Sequence, residues 1–167
     1  MAHPITMYGT PVLHQKTKPV TDFGPELRQL IEDMFASMAQ AQGVGLAANQ
    51  IGVDLQVFVV DCPDDTGKHV VAHIVNPKLE LSAPPRNLDV GEEGCLSVPG
   101  QVAEVARTEI ASVTGLDMNG DPIRIDGTGT LARCLQHEYD HLQGMMYVDR
   151  LTTKERKKVL AAASLPR

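Results

Sequence analysis

The segment Gln136–Gly144, QHEYDHLQG, constrains this chain more than any other. Two histidines stand four residues apart with a glutamate between them. On a helix turning about 100° per residue, His137 and His141 share one face, one turn apart. Glu138 lies at the edge of the same arc. It is poorly placed to join a ligand set, but it can touch a water held on an ion that both imidazoles bind. The competing reading is a solvated polar face. Leu131, Ala132, Cys134, Leu135, Leu142, Met145 and Met146 leave little of the helix polar. A mostly apolar helix is buried, and buried histidine and glutamate need partners. A metal ion supplies one.

A catalytic ion needs a third protein ligand and an open position. Downstream of His141 there is no histidine, and the carboxylates Asp149 and Glu155 fall at a helix exit and in a helix cap. The cysteines are the remaining candidates. Cys134 shares the helix but lies about 10 Å along its axis from His141, too far for one small site, so it reads as a core residue beside the site. Cys62 sits in DCPDD with no other ligand type around it. Cys95, in GEEGCLSVPG, is flanked by glycines that permit close approach and fits a metal loop; otherwise it is a buried free thiol. Asp140 is either a brace for a ligand histidine or a partner for an arginine.

The chain has 167 residues, enough for one domain over 1–167 with a real core. Its net charge of -6 argues against a nucleic-acid platform, and the basic KERKK reads as a solvated helix face. The start lacks a signal-peptide pattern, and no apolar run is long enough to span a membrane. Three cysteines do not suggest a disulfide scaffold, which points to a reducing cytoplasm.

Along the chain, the first twenty residues read as a wrapping arm. A helix begins at FGPELRQL with Pro25 in its first turn, an apolar stripe of Leu27, Leu30, Ile31, Met34 and Met38, and a stop at Gly43. LQVFVVD, Leu55 to Asp61, predicts a strand, CPDDTGKH a loop, and VVAHIVNP a second strand ending before Pro77 with His73 on its surface. SAPPRNLDVGEEG reads as a long irregular segment. EIASVTGLDMNGDPIRI predicts a hairpin turning at Asn119–Gly120. The motif helix covers Gly129 to Gln143, and a last helix starts at a Thr152–Glu155 capping box. These elements predict an α+β fold, with antiparallel β-sheets packed around a central metal-binding helix and with an N-terminal and a C-terminal helix.

GVGLAANQIG, Gly43 to Gly52, crowds small residues ahead of a lone amide. Gln50 is either solvated on a tight loop or a donor to an oxyanion.

Taken together and in order, GVGLAANQ, EGCLS and QHEYDH resemble the three signature motifs of the peptide deformylases. The likeness runs from the GTPVL arm through Asn76–Pro77 to YVDRL at Tyr147 to Leu151. It implies an α+β metal hydrolase of the cytoplasm that removes the formyl group from the N-terminal formyl-methionine of new polypeptides. By motif match, Cys95, His137 and His141 hold the ion and Glu138 is the catalytic carboxylate. Gln50 and the backbone N–H of Leu96 stabilise the oxyanion, and Gly45 borders the substrate backbone. Val44 and Cys134 join the methionine pocket. The resemblance implies ferrous iron as the native ion, with zinc or nickel in purified protein. It also implies nascent formyl-methionyl peptides as partners and a transient ribosome contact. Two positions depart from the family pattern. Val102 stands where many relatives carry a basic residue, and Arg133 where an aliphatic residue lines the pocket, although an arginine stem can do the same.

Two rivals use the same helix. A zinc endopeptidase requires a further downstream ligand, which is missing. A structural zinc module requires four protein ligands, and only three good ones are present.

Overall fold

The computed structural model describes residues 1–165; the last two positions of the expected 1–167 domain lie outside the described residues. Seven strands and three α-helices follow in the order α1 (Pro25–Gln40), β1 (Gly45–Ala47), β2 (Val57–Pro63), β3 (His69–Leu81), β4 (Leu88–Cys95), β5 (Val98–Thr108), β6 (Ile110–Leu116), β7 (Pro122–Thr128), α2 (Gly129–Leu142) and α3 (Thr153–Ala162). Five strands form one antiparallel sheet in the order β1-β2-β3-β6-β7, and β4 and β5 form a separate antiparallel ribbon. The expected α+β architecture is what the chain adopts.

Strand alternation sorts the core. Val57 and Val59 of β2 face the α1 side, packing with Leu27, Ile31, Met34 and Met38. Phe58, Val60 and Cys62, the intervening residues, face the other way and meet Leu131, Cys134, Leu135 and Leu142 of α2. A period of two in β2 thus seats one helix on each face of the sheet. A third cluster joins Tyr8 and Leu13 of the arm to Val98, Val105, Met146, Tyr147, Val148 and Leu160. Each such side chain, fully buried, contributes about 1.5–3 kcal/mol. The motif helix is therefore enclosed between the sheet and the ribbon, and its buried residues include Gln136, His137, Glu138, Asp140 and His141.

Four local expectations change. The segment before Cys95 is not irregular throughout, because Leu88–Cys95 is a strand fully laddered to β5. Its glycines and glutamates have low strand propensity, and cross-strand pairing overrides it. The second strand does not stop at Pro77. A bulge between Val75 and Lys78, with Asn76 at φ 52°, absorbs the proline, and the strand runs on to Leu81. The predicted loop from Cys62 is shorter, since Cys62 and Pro63 end β2 and His69 opens β3. The first helix ends before Gly43, with Gln42 in the left-handed position at φ 58°. Hydrogen bonds from Gln42 N to Ala39 O and from Gly43 N to Met38 O close the turn. The expected arm, hairpin, motif helix and capped last helix are present. The arm buries Leu13, Thr17 and Val20. The hairpin turns between Asp117 and Asp121, where Gly120 has φ 83°. Half-buried His73 accepts the Met118 N–H at 3.0 Å.

Candidate metal centre

Helix α2 aims His137 and His141 at one point, and the end of β4 brings Cys95 to it. The Nε2 atoms of the two histidines are 3.3 Å apart, and Cys95 Sγ is 3.4 Å from His141 Nε2. All three ligand atoms lie within 4.8 Å of one another. A tetrahedral ion with metal–nitrogen bonds of about 2.05 Å and a metal–sulfur bond of about 2.3 Å needs N–N and S–N edges of roughly 3.4 and 3.6 Å. The two measured edges are close to those lengths, and the group constitutes a metal-binding site. Cys134 is not part of it. Its thiol turns to Cys62, Sγ to Sγ 2.8 Å, in the core between β2 and α2. That contact and burial push the Cys134 thiol far up, so it behaves as a neutral core group.

Histidine orientation is set from outside the ligand group. Glu93 Oε1 accepts His137 Nδ1–H at 2.8 Å, which leaves Nε2 for the ion. Burial opposes ionisation of Glu93, yet hydrogen bonds from Arg107 and His137 outweigh it and hold the carboxyl well below its usual range. Arg107 Nε and Nη2 grip both Glu93 oxygens at 2.7 and 2.8 Å, and its Nη1 donates to Asp140 at 2.6 Å. Asp140 also accepts two bonds from Arg150. Of the two readings of Asp140, the arginine partner is the one observed; it reaches His137 only through Arg107 and Glu93. Asn49 Nδ2 donates to the carbonyl of His141 at 2.6 Å, tying the Gln50 turn to the helix.

The electrostatics suit a cation. Burial opposes charge on His137, but Glu138, Cys95 and Glu93 outweigh it and raise the imidazole well above its ordinary value. His141 is lowered well below its ordinary value, chiefly by burial, and is neutral. Its Nδ1 and Glu138 Oε1 are buried without a hydrogen-bond partner among the described residues. Burial pushes the Glu138 carboxyl up to about 7, in the range of a group that exchanges protons near neutrality.

A cavity of about 260 Å³ opens onto this group. Val44, Gly45, Gln50, Leu96, Arg133, Cys134 and Glu138 all contribute to its lining. Gly45 is required there, because a Cβ at that position would stand 2.5 Å from Glu138 Oε2. Gln50 is 2 % exposed, which excludes the solvated reading. Its Oε1 accepts Ala47 N–H at 3.0 Å, so its NH₂ points to Ser97 Oγ at 3.2 Å and Cys95 Sγ at 3.4 Å.

A three-ligand group open to a cavity, with a buried carboxylate and an amide NH₂ beside it, matches one enzyme family along nearly the whole chain. The polypeptide deformylase family profile fits residues 2–157. The chain belongs to the polypeptide deformylase family. It is 59% identical over 160 residues to peptide deformylase 1 of Streptomyces avermitilis, covering 95% of this chain and 74% of that one. Among solved structures, the peptide deformylase of Ehrlichia chaffeensis superposes with a TM-score of 0.90 at 31% identity, covering 98% and 96% of the two chains. That of Legionella pneumophila gives 0.88 at 41% identity, covering 98% and 94%. The deformylase is a hydrolase that removes the formyl group from nascent polypeptides.

Glu93, Arg107, Asn49 and Ser97 escaped the sequence reading. Glu93 had a usable signal. It precedes Cys95 by two residues, and in a strand such residues share a face.

Proposed function

We propose that Cys95, His137 and His141 hold one divalent ion and that Glu138 is the proton carrier of deformylation. The observation that carries this reading is the convergence of Sγ and two Nε2 atoms with a buried, unpartnered Glu138 oxygen beside them. When bound, the ion makes a water nucleophilic at neutral pH and polarises the formyl oxygen. Glu138 takes the proton from the attacking water and delivers it to the leaving amine, so that formate and a free amino terminus result. Gln50 Nε2 and the Leu96 N–H donate to the oxygen as it becomes negative. Strand β1 is an edge of the sheet. Gly45 there, with Val44 just before it, receives the substrate backbone as an added strand, and Cys134 borders the side-chain pocket. The crowded glycine wall favours formyl over bulkier acyl groups.

Ferrous iron is the native ion in this reading, with zinc or nickel replacing it in purified protein. Thiolate and imidazole suit all three, and an iron-bound thiolate makes the site sensitive to oxidants at Cys95. The working unit is one domain over 1–167, acting in the cytoplasm on nascent formyl-methionyl peptides with a transient ribosome contact. The three cysteines are free, which suits a reducing compartment. No helix among the described residues is long and apolar enough to cross a membrane.

Formate release from formyl-Met-Ala, measured side by side with iron-loaded and zinc-loaded protein, tests the reading. Iron-loaded protein is expected to turn over faster while unformylated peptides stay intact. Glu138→Ala is expected to keep the metal and lose turnover; retained turnover removes its role. Internal peptide cleavage without formate favours the endopeptidase.

A further inference from the structure

Cys62 Sγ and Cys134 Sγ lie 2.8 Å apart, and both thiols are free. Non-bonded carbon atoms pack about 3.5–4.0 Å apart, and sulfur is larger. The two sulfurs therefore stand nearer to a bond than to a packing contact. A disulfide has an S–S length of about 2.05 Å, which leaves a gap of about 0.75 Å to close. The residues are 72 apart in the chain and belong to different elements. They meet because Cys62 continues the Phe58 and Val60 side of β2, the side on which α2 packs.

Access differs between the two. Cys62 is 0 % exposed. Cys134 is 7 % exposed and lines the cavity that opens onto the metal group. A small neutral oxidant in that cavity meets Cys134 and not Cys62. We propose that Cys134 is oxidised by peroxide from the cavity side and that Cys62 resolves the product to a disulfide joining α2 to β2. Neither thiol is a proposed ligand, so this site stands apart from the metal assignment. Cys95 makes its contacts elsewhere, with His141 Nε2 and Gln50 Nε2.

The chemistry balances with one peroxide. Cys134 Sγ attacks a peroxide oxygen, an S–O bond forms, the O–O bond breaks, and the departing oxygen takes the thiol proton as water. Cys62 Sγ then attacks the sulfur of the Cys134 sulfenic acid. An S–S bond forms, the S–O bond breaks, and the Cys62 proton leaves with the oxygen as a second water. Two thiols are oxidised to one disulfide, and one peroxide is reduced to two waters. The contact with Cys62 and burial hold the Cys134 thiol protonated, and a protonated thiol is a weak nucleophile. The first step is therefore slow, and the pair answers sustained exposure to oxidant. The second step is quick by comparison, because the resolving sulfur is already in contact.

A partner changes the outcome of the first step. A sulfenic acid left alone goes on to sulfinic acid, which thiol reductants do not restore. On α2, three residues before His137 and on the same face, that product would fix a charge beside a proposed ligand. The disulfide is neutral and reversible.

The test exposes zinc-loaded protein, whose ion has no redox chemistry of its own, to hydrogen peroxide. Free thiols are then alkylated and the digest is mapped by mass spectrometry. In wild type, Cys62 is expected joined to Cys134 within one chain, with both thiols lost in step and both recovered by dithiothreitol. In Cys62→Ala, Cys134 is expected as sulfinic acid that dithiothreitol leaves in place. Cys62→Val fills the core position and is expected to behave the same, which covers a poorly folded alanine variant. Sulfinic acid on Cys134 at one rate in wild type and both variants overturns the inference. Persistence of both thiols under exposure that fully oxidises Cys95 overturns it too, as does a link from either thiol to Cys95. A wild-type link with Cys134 left as a thiol in both variants overturns the assigned order of attack.

Discussion

Glu93 Oε1 and His137 Nδ1 lie 2.8 Å apart, and this contact fixes which nitrogen of a proposed ligand faces the ion. Glu93→Gln keeps the shape and removes the charge that two arginines and the imidazole share. It is expected to weaken metal binding by about 10–100-fold. Competition with a chelator of known affinity reads this directly, and an unchanged affinity contradicts the proposed bracing.

Arg107 is the centre of the surrounding network, with a side chain only 2% exposed between Glu93 and Asp140. Arg107→Met fills the volume but leaves two buried carboxylates without it. Breaking such a pair costs about 3–5 kcal/mol. Urea unfolding of the two proteins checks the figure, with an earlier midpoint and the same slope expected.

The Gly45 backbone approaches Glu138 so closely that a single methyl group must move the carboxylate. Gly45→Ala is expected to lower kcat about 100-fold, the scale for misplacing a reacting group by an ångström. Metal content should stay at the wild-type level. Normal turnover in this variant argues that Glu138 tolerates displacement and is not the proton carrier.

Thr152 Oγ1 accepts the Glu155 N–H at 3.2 Å and donates to the Glu155 carboxylate at 2.9 Å. Thr152→Ala is expected to cost about 1 kcal/mol of stability and to leave formate release unchanged, since α3 lies outside the cavity. Thermal unfolding alongside a rate assay separates the two.

The sequence was most legible where chemistry and periodicity coincide. The spacing of His137, Glu138 and His141 set a helix face, and the search for a third ligand led to Cys95. It was least legible in the ribbon. Leu88–Cys95 carries glycines and paired glutamates whose strand character comes from β5, 3 to 20 residues further along in the observed register. Because that strand was hidden, so was the shared face of Glu93 and Cys95, and with it the brace for His137. Asp140 shows a different limit. A carboxylate on the ligand helix has the right place for a brace, but its arginine partners, Arg107 and Arg150, come from β5 and from the turn after α2. Gln50 was ambiguous for a similar reason, since only the Ala47 N–H on its Oε1 decides where its NH₂ points. Contacts between distant segments carry no local signature in a single chain.

The placement of α2 between the sheet and the ribbon has a consequence for the order of synthesis. All seven strands leave the ribosome before the helix that fills the space between them. Until residue 141 has emerged, Cys95 faces a hollow without its imidazole partners, and the inner faces of Phe58, Val60 and Ile74 have nothing to cover them. Metal capture by the proposed ligands and full closure of this apolar core both require α2, which is made after every strand. A deformylase acting on the amino termini of growing chains thus has its own proposed ligand set complete only when almost all of its own chain has been made.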